Sequence, residues 1–502
     1  MKYLVGIDAG SSSCKVCVFD TEGNCVGMAV REYPNYYPQP GMVEEDGEEM
    51  VLEIIQACKT AIEKANANGE DVLAVAFSTQ GGPLALMDSD EKLMGNFISW
   101  QDLRGFMVAE ELMGTMDPHR YYEISGLACS PANPLAKLLW MRKFDPNFQS
   151  AVRYVTFQEY FLKRFGADEY VMDEMSCERI GLGSPENHDF SEELLNAFQF
   201  DRSKFGKVVK AGTIVGTVRP DIAELTGFST KTLLCVGSQD SSCDSFGVGV
   251  LKEGDCSILL GTMGSLTVIK DQPVRLKNEA FVVNSNGGIG NWRIDGLSFT
   301  AASCYKWFRD TLCSAEVSIQ KSSGIDAYDL INHAVAQSIP GANGITFMST
   351  LQGGPTVYYN LNAKGAFTGI TMNTSKGDLA RAVMEGICYE MRSIIDYLES
   401  EGVTFNNLKL IGGITRSPLC CQMMSDITQK PLFISKNPET GCLGAAMYAG
   451  IGSGVFRDAE DAVSKCVDLS TVYAPSFDTK DAYEEGYQRY MKLIQTLNTH
   501  FY

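Results

Sequence analysis

The chain has 502 residues, 45% apolar and 21% charged, with a formal net charge of −20. That length is too great for one core and predicts two large domains of ordinary globular composition. The negative balance excludes a nucleic-acid partner, whose phosphates it would repel, and no apolar run is long enough to span a membrane.

The chain opens directly on a strand, without a secretion-signal pattern. Leu4 to Ile7 is an apolar run ending on Asp8, Ala9-Gly10-Ser11-Ser12 is a small polar turn, and Cys14 to Phe19 resumes the apolar pattern. This reads as a hairpin with a carboxylate at the end of its first strand. Gly10, Ser11 and Ser12 leave room for phosphate oxygens at the backbone N–H groups, with Lys15 as a further donor. Asp8 is placed to hold Mg²⁺, which usually takes one or two carboxylates plus phosphate oxygens. A buried hairpin with a small polar turn explains the same residues. The turn is not a Walker A loop, because Gly-Lys-Ser/Thr is missing and a strand follows.

Cys25 to Val30 predicts a strand, Glu48 to Ala65 a helix, and Val72 to Phe77 a buried strand running into Ser78-Thr79-Gln80-Gly81-Gly82. A strand then ends in Trp100, Gln101, Asp102 and Arg104, an aromatic wall with planar polar groups of the kind that binds sugars. A core tryptophan beside a surface ion pair is the plainer explanation. Helices are predicted over Pro134 to Phe144, Val155 to Phe165, and from a serine cap at Ser191 to Phe200. The strand Leu233 to Val236 leads to Gly237-Ser238-Gln239-Asp240 and then Ser241. A carboxylate there is a candidate general base or, alternatively, the N-cap of the following helix. Asp244, one turn on, is a weaker candidate for either role.

Cys256 to Ile269 repeats the opening pattern around Gly261 and Thr262. Two such hairpins suggest a duplicated half in each domain, with a triphosphate held between them. Helices over Asp378 to Glu399 and Leu419 to Thr428 flank the strand Leu408 to Ile411, which opens into Gly412-Gly413 and reaches Ser417. Bare backbone at Gly412-Gly413 suits a flat ring such as adenine. Gly441 to Gly450 reads as a closely packing helix and Lys480 to Leu497 as an amphipathic one. The domain boundary is predicted near Gly247 to Gly254, giving domains 1–248 and 249–502.

Sixteen cysteines without framework spacing read as reduced thiols of a cytoplasmic protein. Cys14 and Cys17 stand three apart on a strand and so face opposite sides, which argues against a redox or metal pair. None of the four histidines, His119, His188, His333 and His500, lies beside a Gly-rich turn. That argues against a histidine-based hydrolase and a zinc site.

Nearly the whole chain resembles the FGGY carbohydrate kinases, a branch of the actin, sugar-kinase and Hsp70 ATPase superfamily. The resemblance rests on Gly6 to Ser12, Gly261 to Gly264, Gly365 to Ile370 followed by Asp378 to Glu385, and Gly412 to Ser417 followed by Leu443 to Ala446. It implies an α/β, two-domain actin-like (ribonuclease H-like) fold that phosphorylates a sugar or polyol hydroxyl with ATP and Mg²⁺. Asp240 would be the catalytic base and Asp8 the residue near Mg²⁺. Gly10, Ser11, Ser12, Lys15, Gly261 and Thr262 would lie at the phosphates, and Gly412, Gly413 and Ser417 at adenosine. Gln80, Gly81, Trp100, Gln101, Asp102, Arg104 and Ser241 would join Asp240 at the sugar. A homodimer is typical of that family.

Two departures put the substrate in question. Xylulokinases usually carry Gln-Met-His-Gly where Gln80-Gly81-Gly82-Pro83 stands and Asn where Ser241 stands; glycerol kinases carry Arg-Glu just after the Gln. A ketopentose is the first expectation, with gluconate, a deoxyhexulose, a tetritol or glycerol as alternatives. From other classes come an actin- or Hsp70-like ATPase that transfers nothing to a sugar, and a sugar sensor that has lost catalysis.

Overall fold

The computed structural model describes residues 1–354 and 356–501, so Tyr502, at which the second predicted domain ends, lies outside the described residues. The chain divides into two compact units. Unit 1 comprises Met1–Lys252, Ile269–Ile294 and Glu439–Asp468; unit 2 comprises Glu253–Val268, Asp295–Pro438 and Leu469–Tyr502.

Unit 1 is built on a six-stranded sheet of β1 (Tyr3–Ala9), β2 (Ser13–Asp20), β3 (Cys25–Glu32), β4 (Val72–Thr79), β5 (Ile214–Thr217) and β6 (Leu233–Gln239), in the order β5-β6-β4-β1-β2-β3. β1 and β2 form the expected antiparallel hairpin, while β1, β4 and β6 run parallel, so their carboxyl ends open on one edge. Alternation sorts the side chains to two faces. Val5, Ile7, Val75 and Phe77 pack with helix α1 (Gly47–Ala65) and with Phe161 and Phe165. Leu4, Cys17, Ala74 and Ala76 pack with helices α2 (Asp240–Gly247) and α5 (Thr440–Gly452).

The second face is lined by small residues because a helix backbone lies directly on it. A Cβ on Gly6 would come within 1.8 Å of the Cys442 carbonyl oxygen, and one on Gly444 within 2.0 Å of the Cys243 carbonyl oxygen. Any larger residue would push α5 off the sheet or off α2. Leu443 to Ala446, counted above with the adenosine motif, are buried in this packing.

Unit 2 holds a second hairpin, β7 (Asp255–Leu260) and β8 (Gly264–Lys270), apart from the last two residues of β8. β9 (Asn407–Ile411) runs parallel to β7 and to β10 (Leu432–Ile434), and β11 (Thr471–Tyr473) closes that edge antiparallel. The long helix α3 (Lys376–Ser400) begins in a capping box. The Ser375 hydroxyl accepts from the Asp378 amide at 3.1 Å, and the Asp378 carboxylate accepts from the Ser375 amide at 2.9 Å. Helix α4 (Pro418–Thr428) starts one residue before the predicted Leu419, with the proline at its first turn.

One predicted helix begins late. Arg153–Thr156 is a strand paired with Leu84–Met87, and the helix runs over Phe157–Phe165 from a capping box of Thr156 and Glu159. Among the described residues no helix is long and apolar enough to cross a membrane.

Candidate active site

The parallel strands of unit 1 bring three sequence-distant positions to one edge. Asp8 on β1 stands opposite Ser78 on β4, and Thr79 stands opposite both Ala9 and Gln239, the last residue of β6. Gln80 and Asp240 therefore leave adjacent strands beside the Asp8 carboxylate. Ligands of open α/β sheets bind at such carboxyl ends.

Asp8 falls on the α5 side of the sheet, by the same alternation that buries Leu4, and its Oδ1 accepts from Ser78 Oγ at 2.8 Å. Gly441, at the start of α5, leaves the space between two acids. A Cβ there would lie 3.4 Å from Asp8 Oδ1 and 3.3 Å from Asp244 Oδ1. Asp244 Oδ1 accepts from Thr440 Oγ1 at 2.5 Å.

Asp240 is not the helix cap. Gln239 holds that position, and among the described residues the Asp240 Oδ1 accepts from the neighbouring Ser241 amide alone, at 2.7 Å. Burial, then the negative charge of Asp8, push the Asp240 carboxyl up to about 6; the Ser241 amide, Arg179 and Arg293 partly offset this. Burial and Asp8 likewise push Asp244 up to about 7, and burial raises Asp8 itself against the Ser78 hydrogen bond and Lys15. The three acids thus share one underneutralised patch. Lys15, facing Asp8 across the hairpin, gives its ammonium to Glu439 at 2.8 Å.

Two expected sugar residues contact the hairpin tip. Trp100 Nε1 donates to Ser11 Oγ at 3.2 Å, and Gln80 Nε2 to the Gly10 carbonyl at 3.4 Å. The Gln239 side-chain amide lies directly over Gly81, where a Cβ would come within 2.5 Å of Gln239 Oε1. Asp102 and Arg104 are buried against one another. Asp102 accepts from the Val43 amide at 2.6 Å and from Arg104 Nε at 2.9 Å, while Arg104 also pairs with Glu44 and stacks on Trp140. The strand expected to end in these residues spans only Phe97–Ile98. Gln101 is exposed beyond it.

In unit 2, the carbonyls of Gly261 and Thr262 accept from the Ala302 and Ala301 amides at 2.9 and 3.1 Å, and Thr262 O also accepts from Ser303 Oγ at 2.6 Å. That leaves the Thr262 hydroxyl as the turn's side-chain donor. Gly412 has φ +103° and lies so close to β7 that a Cβ would come within 2.5 Å of the Leu260 carbonyl oxygen; nothing lies within 4 Å of a Cβ on Gly413. Ser417 caps α4, accepting from the Cys420 amide at 3.4 Å.

The residues missed by sequence reasoning include Ser78, Thr440, Glu439, Arg179 and Arg293. Only Thr440 carried a local signal, as the hydroxyl before the small-residue helix.

The description of the FGGY family of carbohydrate kinases matches this chain twice, as N-terminal domain over residues 3–247 and as C-terminal domain over residues 256–453. A gluconokinase of Bacillus licheniformis is 26% identical over 504 residues, covering 99% of this chain and 97% of the relative. A xylulose kinase of Bacillus subtilis (strain 168) is 24% identical over 506 residues, covering 99% and 98%. The solved structure of a ligand-bound xylulose kinase from Lactobacillus acidophilus superposes with a TM-score of 0.90 at 21% identity, covering 100% of this chain and 99% of that one. At that identity the superposition shows the fold, the two-domain α/β actin-like fold of sugar kinases. The chain belongs to the FGGY family of carbohydrate kinases and is an ATP-dependent kinase of a sugar or polyol.

Proposed function

We propose that the enzyme phosphorylates a hydroxyl of a ketopentose, with Asp240 as general base. The observation that carries the assignment of the base is the convergence of Asp8, Gln80 and Asp240 on adjacent strand ends, with Asp240 released from capping. Asp240 accepts the hydroxyl proton as the oxygen attacks the γ-phosphorus, and its carboxyl near 6 is ionised at neutral pH. Gln80, Gly81, Trp100, Gln101, Asp102, Arg104 and Ser241 shape the sugar site. Asp102 and Arg104 act from beneath it, their polar atoms being engaged with the protein. Gly10, Ser11, Ser12, Lys15, Gly261 and Thr262 receive the phosphates, and Gly412, Gly413 and Ser417 the adenosine. Residues 1–248 carry the sugar site, the first hairpin and the base; residues 249–502 carry the second hairpin and the adenosine site. A homodimer in the cytoplasm belongs to the same reading.

The acids suit magnesium. Asp8, Asp240 and Asp244 form an oxygen-only, mutually repelling set. Asp8 would hold the ion, with phosphate oxygens and waters completing its shell, and the ion would supply neutralisation of phosphate charge.

Gluconate is the second reading. Arg179 and Arg293 act on Asp240 from within the same unit, and such cations suit a carboxylate substrate. Sugar-dependent ADP release across ketoses, aldonates and polyols decides. Stimulation by D-xylulose or D-ribulose supports the first reading, and by D-gluconate alone the second. ATP turnover at full rate without any sugar contradicts both.

A further inference from the structure

Beneath Gln80 lies a buried acid that the reaction does not use. Glu45, fully buried on the short strand Glu44–Glu45, pairs with Phe97–Ile98, and its Oε2 accepts from Gln80 Nε2. Gln80 Nε2 also donates to the Gly10 carbonyl at 3.4 Å, and the Gln80 backbone amide to the Ala9 carbonyl at 3.3 Å. Lys137, fully buried, donates through Nζ to the Ser99 carbonyl at 2.7 Å. Burial pushes Glu45 up to about 7 against Ser99, Gln80 and Lys137, and pulls Lys137 down to about 7 against Asp102 and Glu45.

The direction of the Gln80 amide follows from its neighbours. The Gly10 carbonyl can only accept, so it requires the NH₂ end, and the ionised Glu45 carboxylate requires the same; against both, a reversed amide would set oxygen against oxygen. Among the described residues the carbonyl end, Oε1, is buried and has no hydrogen-bond partner. A buried acceptor left unpaired is unfavourable until a donor reaches it.

We propose that Glu45 is a positioning residue for substrate recognition: it holds the Gln80 amide so that Oε1 is the acceptor offered to a hydroxyl of the sugar. The proposal rests on the reading of Gln80 as a sugar-site residue. It makes this subsite selective for a hydroxyl that donates; a keto or carboxylate oxygen, which only accepts, is disfavoured there.

The test compares Gln80→Ala, Glu45→Ala and Glu45→Gln in the full chain, with D-xylulose and D-gluconate each as acceptor. Glu45→Ala should raise the acceptor KM about tenfold, with kcat and the KM for ATP within about threefold. Glu45→Gln, whose own carbonyl can accept from Gln80 Nε2, should restore the KM to within about twofold. Should Glu45→Ala not fold, Glu45→Met takes its place, since methionine fills the volume without a comparable acceptor. If Gln80→Ala raises the KM but the Glu45 variants without an acceptor do not, the role of Glu45 is overturned. If Gln80→Ala leaves the KM unchanged for both acceptors, the sugar-site reading of Gln80 falls, and the proposal with it. A loss of kcat and thermal stability shared by Glu45→Gln and Glu45→Ala, without the KM split, also overturns it by marking Glu45 as structural.

Discussion

The two hairpins are built on one pattern and equipped differently. Two residues before the turn glycine, the first has Asp8 and the second Leu259; across the ladder, Asp8 faces Lys15 and Leu259 faces Ser265. The first turn leads into a patch of acids, whereas the Gly261 and Thr262 carbonyls of the second are taken by a helix start. A glycine-rich hairpin therefore supplies backbone donors and little else. On the proposed reading, what equips the first one for chemistry is the strand end beside it, where β4 and β6 bring Gln80 and Asp240.

The contrast can be broken position by position. Asp8→Asn should lower sugar-dependent ADP release by roughly a thousandfold, within the range for loss of a strong electrostatic group. Leu259→Asn, at the matching offset, should change it less than fivefold; a similar loss in both would erase the distinction. Gly6→Ala should destabilise unit 1 by about 3 kcal/mol or prevent folding, because the added carbon meets the Cys442 backbone rather than a movable side chain. Urea unfolding followed by tryptophan fluorescence reads this. Lys15→Met should raise the KM for ATP about tenfold, and Ser265→Ala less than twofold.

The smallest effect is a pH linkage. Asp240 has a folded-state pKa raised to about 6, so its charged form is disfavoured by folding, and the stability its protonation contributes is lost as pH rises through 6. Asp240→Asn should therefore match the wild-type melting temperature near pH 4 and exceed it by roughly 2 °C at pH 8. Calorimetric scans at both pH values check the sign.

Local pattern carried much of this organisation. The strand alternation, the proline at 134 and the serine at 191 placed elements to within a residue or two, and both hairpins were visible as apolar runs around small turns. Asp8 stood out because it ends an apolar run, and Asp240 because it follows the strand Leu233 to Val236 after Gly237-Ser238-Gln239. Partners from far along the chain were not. Asp244 meets Thr440 across 196 residues and Lys15 meets Glu439 across 424, through a helix whose small residues announce close packing but not the surface it packs on. Thr156 was misread for another reason: Val155 and Thr156 fit a helical stripe, yet β-branched side chains pair well on a sheet, and Thr156 then caps the helix. Glu45 gave no signal, since its neighbour Gln80 lies on a different strand end.

The most direct measurement is the pair of sugar-dependent ADP release and ATP binding in Asp240→Asn, with wild-type turnover followed between pH 5 and 8. The account predicts that the variant loses at least a hundredfold in turnover while its ATP affinity stays within about threefold, and that wild-type turnover falls as pH drops through about 6. Turnover surviving in Asp240→Asn, or ATP binding lost along with it, would contradict the assignment of Asp240 as the base.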